Sequence, residues 1–249
     1  MQAFDPERFL AVRDEVLSKE RAKKGIGTLG EKSLHAILKA YYEPFDALHE
    51  QKIGRYVADI VNEDGIIEIQ TRNLFSMKDK LSHFLEVTQV TVVHPVVRTK
   101  WLSWIDEETG EIGPRRKSPK TGTLYDAFWE MGHLSSILPH PNLTLCLVML
   151  DMEETRLLNG WSRDRKRGST RADRIPTALV SETYLHTAED YAALLPENLP
   201  QPFTKAVFAK SIHQPPGRAD TVLWLFRHMG LVQEEGKRGR EKLFHVVGG

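Results

Sequence analysis

Tyr56-Val57-Ala58-Asp59-Ile60-Val61-Asn62 and Ile66-Ile67-Glu68-Ile69-Gln70-Thr71, joined through Glu63-Asp64-Gly65, decide how this chain is read. Both runs are short, apolar and β-branched, and read as adjacent strands with side chains alternating between two faces. Asp-Gly is the dipeptide that best fits a two-residue type I′ turn, because both central residues need positive φ. With Asp64 and Gly65 in those places, Glu63 faces Ile66, Val61 faces Glu68 and Asp59 faces Gln70. Alternation then puts Asp59, Glu68, Gln70 and Arg72 on one face, and Ala58, Ile60, Ile67 and Ile69 on the other. Carboxylates on an otherwise apolar hairpin are costly without a partner, and a hard divalent cation is a natural one.

Outward from the hairpin, Gly27-Thr28-Leu29-Gly30-Glu31-Lys32-Ser33-Leu34-His35 opens a helix over about 29–42. Its apolar stripe is Leu34, Ile37, Leu38 and Tyr41, and Glu31 shares that face by spacing. Thr28-x-x-Glu31 is equally a capping box, in which Glu31 turns back to its own N-cap. Pro44 ends this helix. Strands are predicted at about 47–53, 56–62 and 66–72, a helix at 76–86, and a β-branched strand from Val87 to Val97. An earlier helix, 5–24, has Asp5 as N-cap and Pro6 in its first turn.

The pattern Asp59…Glu68-x-Gln70, preceded by a helix carrying Glu31, resembles the PD-(D/E)XK nuclease superfamily over roughly residues 25–95. The resemblance implies an α/β, restriction-endonuclease-like αβββαβ core with a mixed central sheet. It implies that Asp59 and Glu68 bind Mg²⁺, with Mn²⁺ as a substitute and the Ile69 carbonyl as a further ligand. Gln70 would orient the attacking water and Glu31 would serve a second metal. Gln70 stands where the family's usual Lys would be. An amide orients water but brings no positive charge to a developing phosphorane, so a nearby cation is expected to compensate. Arg72 is the first choice, with Lys52, Lys78 and Lys80 as others.

The remainder of the chain adds basic segments that would suit a phosphodiester substrate. Residues 99–121 read as an excursion: a strand Trp101–Ile105, a turn at Glu108-Thr109-Gly110 and a basic return containing Arg115, Arg116, Lys117 and Lys120. A helix is predicted at about 123–137, with Asp126 and Glu130 on a solvated face, then an apolar strand at 143–150. Residues 159–175 read as a basic loop, and 177–186 as a last strand. A proline-bearing linker follows at 194–202. Beyond it come a helix at 204–213, a Pro215-Pro216-Gly217 turn, a helix at 218–229 and a basic hairpin. This order resembles a winged helix-turn-helix domain. The resemblance implies that Arg218, Thr221 and Arg227 face the DNA groove while Lys237, Arg238 and Arg240 touch its backbone. Two domains are therefore expected, 1–195 and 196–249.

Composition narrows the function classes. Lys plus Arg and Asp plus Glu each number 34, so bulk polycation behaviour is excluded and only local basic segments can serve a nucleic acid. The single cysteine, Cys146, lies in an apolar run, which rules out an internal disulfide and a cysteine-rich zinc site. No apolar run has the length of a membrane span and the start does not read as a signal peptide, so a cytoplasmic protein is expected. The expected function is a Mg²⁺-dependent endonuclease acting on DNA, with RNA as the alternative substrate and a homodimer if both strands are cut. The competing readings are an inactive nuclease-fold DNA-binding or regulatory protein, and an α/β protein–protein module.

Overall fold

The computed structural model describes residues 3–24, 31–106, 109–157 and 170–248. Helix α1 spans Pro6–Lys24 and begins where expected: the Asp5 carboxylate accepts the Arg8 N–H at 2.9 Å. Helix α2, Glu31–Tyr42, buries the predicted stripe of Leu34, Ile37, Leu38 and Tyr41. The two helices meet through Phe9, whose ring stands edge-on to Tyr41 at 5.3 Å, and Arg8 lies over the Tyr41 ring.

Three short strands follow: β1 (His49–Ile53), β2 (Tyr56–Asn62) and β3 (Gly65–Ile69). A 3-10 turn, Leu74–Met77, leads into α3 (Lys78–Leu85), which buries Leu81, Phe84 and Leu85. Then come β4 (Val90–Ile105), β5 (Arg116–Lys117), the short α4 (Phe128–Met131) between 3-10 turns, β6 (Leu143–Leu157) and β7 (Thr170–Leu185). The large sheet has seven strands in the order β1-β2-β3-β4-β6-β7, with β5 on β4. It is mixed, with parallel and antiparallel strands. The chain ends with α5 (Ala188–Ala192), β8 (Phe203–Thr204), α6 (Lys205–Ser211), α7 (Pro216–His228), β9 (Val232–Arg238) and β10 (Glu241–Val246). These last strands form a separate sheet in the order β8-β10-β9.

Several expectations need correcting. Trp101–Ile105 is not a separate strand but the far half of β4, and Arg116–Lys117 pairs back onto it as β5. β6 runs well past residue 150. In its charged second half Asp151 and Glu154 look unlike core in the sequence, yet both are paired. Arg98 grips Asp151 with two hydrogen bonds, and Glu154, 1% exposed, meets Lys100 and Arg156. β7 begins at Thr170, inside the segment read as a loop; residues 158–169 lie outside the described residues. The helix at 123–137 is broken into a single α-turn flanked by 3-10 turns, at Gly132 and the Ser135-Ser136 pair, all poor helix formers. Asp126 and Glu130 are not on a solvated face: Asp126 pairs with Arg218, and Glu130 accepts the Leu74 N–H at 3.0 Å.

The chain divides into two compact units. One comprises residues 1–71, 93–123 and 148–182; the other comprises 72–92, 124–147 and 183–249. The first holds α1, α2 and the β1-β2-β3 meander. The second holds α3 to α7 and the small sheet, with Phe128 edge-on to Phe226 at 5.3 Å and Phe208 against the same ring. The C-terminal segment 196–249 is thus one part of this second unit. Cys146 is fully buried there. Among the described residues no helix is long and apolar enough to cross a membrane.

Candidate active site

The hairpin register differs from the expected one by two residues. Asn62 pairs with Gly65, Val61 with Ile66 and Ile60 with Ile67. The turn is therefore Glu63-Asp64, and neither residue has positive φ, which excludes type I′. The positive φ falls on Gly65, at 110°, and the Asn62 side chain braces the turn by accepting the Asp64 N–H. A shift of two preserves which face each side chain takes. It also brings Asp59 opposite Glu68 instead of Gln70.

At that position the regular ladder gives way to side chains. The Asp59 N–H donates to Glu68 Oε1 at 3.2 Å, and the Ile69 N–H donates to Asp59 Oδ2 at 2.8 Å. Each carboxylate thus accepts a main-chain amide across the strand pair. Glu68 is 1% exposed, while the Asp59 side chain keeps 20%. The other hairpin face, Ala58, Ile60, Ile67 and Ile69, is wholly core, as the alternation requires.

Helix α2 presents a residue that sequence reading passed over. His35 Nε2 lies 3.3 Å from Asp59 Oδ2. With Asp59 ionised the carboxylate can only accept, so Nε2 carries the proton. Lys39, one turn on, binds Glu50 at 2.8 Å, and its hydrogen bond holds that carboxyl below its ordinary value. The spacing of Glu31 and His35, four residues, could have pointed to His35 as a second inward group. Glu31 begins α2, one turn before His35, and its side chain lies outside the described residues, as does Thr28 of the alternative capping box.

Gln70 follows β3 directly. Its N–H donates to the Val93 carbonyl at 2.9 Å, and its own carbonyl accepts from His94 Nδ1 at 2.8 Å. Of the candidate compensating cations, Lys52 is exposed on β1 and Arg72 is exposed just past Gln70. Lys80 lies over the Phe84 ring at 5.6 Å in the second unit. Among the described residues no three His, Cys, Asp or Glu side chains gather as a ready metal cluster. The chemistry of the donor pair itself suits a hard cation: two carboxylates opposed on neighbouring strands, with oxygen donors only.

The expected nucleic-acid residues are distributed as follows. On α7, Arg218 is paired with Asp126, Thr221 is half-buried, and Arg227 meets Glu234 at 3.5 Å and lies over the Phe244 ring. On the β9-β10 hairpin, Lys237, Arg238 and Arg240 are exposed around the Gly239 turn, and Arg238 is 3.9 Å from Glu241. Of the earlier basic segments, Arg163, Arg165, Lys166 and Arg167 lie outside the described residues. Trp101 is half-buried, with the Arg115 guanidinium 4.3 Å over its ring.

The family described as Domain of unknown function (DUF8091) matches residues 32–186, which takes in nearly all of α2 and the whole of the large sheet with its hairpin. A protein of Treponema pallidum (strain Nichols), named "Uncharacterized protein", is 30% identical over 223 residues, covering 88% of this chain and 86% of the relative. No solved structure matches. The chain belongs to the DUF8091 family.

Proposed function

We propose that this protein is a metal-dependent nuclease of the restriction-endonuclease-like type, cytoplasmic, hydrolysing phosphodiester bonds in DNA. The observation that carries the reading is the pairing of Asp59 with Glu68 across β2 and β3, with Gln70 two residues on. The element order α2-β1-β2-β3-α3-β4, with the four strands side by side in that order, supports an αβββαβ core. In the second unit, the sheet order β8-β10-β9 around α6 and α7 supports a winged helix. Its wing is the better-supported contact with a phosphate backbone, since Arg218 and Arg227 on α7 are engaged by Asp126 and Glu234.

Asp59 and Glu68, with the Ile69 carbonyl, would hold Mg²⁺ or Mn²⁺. Such an ion lowers the pKa of a bound water and neutralises charge on the scissile phosphate. Gln70 orients the attacking water through its amide, and His35 fixes the Asp59 carboxylate. Glu31, at the head of α2, serves a second ion. Arg72 offsets the charge of the transition state. Exposed Lys237, Arg238 and Arg240 neutralise backbone phosphates, which makes affinity fall steeply with salt.

A second reading, an inactive nuclease-fold DNA-binding protein, is favoured by one observation: the residue two after Glu68 is uncharged. The two readings separate in a single assay on plasmid and single-stranded DNA with Mg²⁺ or Mn²⁺. Under the nuclease reading wild type cleaves, and Glu68→Ala and added EDTA both abolish cleavage while DNA binding persists. Binding without cleavage by wild type selects the inactive reading. Absence of both removes the nucleic-acid assignment.

A further inference from the structure

We infer that His94 is a positioning residue for Gln70, an assignment that rests on the nuclease reading of the Asp59–Glu68 site. β4 lies between β3 and β6, so it is a central strand, and Pro95 sits within it. Proline has no N–H to give to a ladder and is ordinarily confined to edges and bulges. A central strand that contains one leaves a neighbouring carbonyl without its usual donor.

That carbonyl belongs to Gln70. β3 reaches its sheet neighbour β4 through a helical crossover, the connection of parallel strands. In a parallel ladder a residue's N–H and C=O go to residues two apart on the partner strand. The Gln70 N–H donates to the Val93 carbonyl, so the amide due at the Gln70 carbonyl is that of residue 95. Pro95 cannot supply it. His94 Nδ1 does so instead, at 2.8 Å. A carbonyl only accepts, so this bond fixes the proton on Nδ1.

The consequence is local to the site. Regular pairing of β3 ends at Ile69, yet both main-chain polar groups of Gln70 are held by consecutive residues of β4, one through backbone and one through a side chain. His94 is 6% exposed, on a strand whose Val92, Val93 and Val96 are buried, so losing its hydrogen bond would be costly and the contact is fixed in place. The His94-Pro95 pair therefore lets the chain leave the sheet at Gln70 while clamping the direction of that residue. The clamped residue is the one whose amide must meet the attacking water, two positions past a buried Glu68. Outer groups that orient the ligands of a metal site are worth about 10–100-fold in metal affinity or activity, and an effect at the low end of that range is expected for one that orients a water-positioning amide beside it.

The test is a kinetic double-mutant cycle between His94 and Gln70 on a labelled duplex in Mg²⁺, with thermal unfolding of every variant. His94→Ala is expected to lower kcat about tenfold with KM nearly unchanged. In a Gln70→Ala background the same change is expected to cost nothing further in kcat, since the group it positions is gone. His94→Asn, which keeps an N–H donor near Nδ1, is expected to restore kcat. Pro95→Ala, which supplies the missing backbone N–H, is expected to restore it within His94→Ala. The loss of thermal stability caused by His94→Ala, by contrast, should be the same in the wild-type and Gln70→Ala backgrounds. Equal kcat losses in the two backgrounds, or a KM effect alone, overturn the assignment and leave the nuclease reading standing. A wild-type chain that binds DNA but does not cleave it overturns both.

Discussion

Under the proposed nuclease reading, Gln70 carries an uncharged amide where a proton-handling or cationic group would be needed, and its chemistry sets what single substitutions should do. Gln70→Ala is expected to lower kcat by about 10²-fold, the size of losing one aligned hydrogen-bond donor in an active site. Gln70→Lys adds the absent positive charge and is expected to keep or raise the wild-type rate. Steady-state kinetics on one duplex substrate compare the two, and an unimpaired Gln70→Ala would sink the water-orienting role. A second residue-scale prediction concerns pH. Two hydrogen bonds from Arg98, at 2.9 and 2.6 Å, hold the Asp151 carboxyl below the usual aspartate range, against partial burial that works the other way. A lowered folded pKa contributes stability above the unfolded value of about 3.9, and that contribution is lost as pH falls through the lower folded value. Arg98 is 42% exposed. Solvent screening therefore keeps the net term to about 1 kcal/mol or less. Asp151→Asn is expected to lower unfolding stability by that amount at neutral pH and by less at a pH well below the unfolded value of about 3.9. Urea denaturation at both pH values reads the difference directly.

The β2-β3 hairpin is the element on which the site depends, and its turn is where geometry and sequence part. Asp64-Gly65 looks like the centre of a type I′ turn, but the chain turns one residue earlier and uses Gly65 as the first residue of β3 at φ 110°. Gly65→Ala puts a side chain into a backbone region that L residues avoid and is expected to cost about 1–3 kcal/mol. Equilibrium urea unfolding measures it; a neutral result would mean that the turn readjusts and that the register is not pinned there. Because a two-residue shift keeps every side chain on its face, the acidic face and the core face were both legible from alternation. The direct opposition of Asp59 and Glu68 was not, because it depends on which pair of residues closes the turn. β6 shows the converse problem. Its second half carries Asp151 and Glu154 in a strand with Met152 buried, and pairing with Arg98 and Lys100 of β4 and with Arg156 of β6 itself makes those charges compatible with a sheet.

At the level of the molecule, the C-terminal segment shares a core with residues far upstream. Phe128 is wholly buried against Phe226, and Tyr125 donates to the Leu194 carbonyl, all within the second unit. A chain ending at residue 195 removes α6, α7 and the small sheet and uncovers Phe128. It is expected to yield a partly unfolded, aggregation-prone product whose residues 124–138 lose protection in amide exchange. Each large aromatic neighbour lost from a core costs about 3–5 kcal/mol, comparable to the stability of a small unit. Full protection of that segment in the truncated chain would show that the C-terminal segment folds apart from it.

Periodicity, capping and breaker residues determined on their own the extent of α1, the α2 face, the three-strand meander, the α3 crossover and the C-terminal helix pair with its basic hairpin, because each of these is decided by neighbours within a few residues. Tertiary structure decided the rest. The hairpin register, the length of β6 and β7 and the pairing of Asp126 with Arg218 depend on partners distant in the chain. So do the two histidines of the site. His35 and His94 carry no spacing that marks them as a pair, and they reach Asp59 and Gln70 only because α2 and β4 flank the same hairpin.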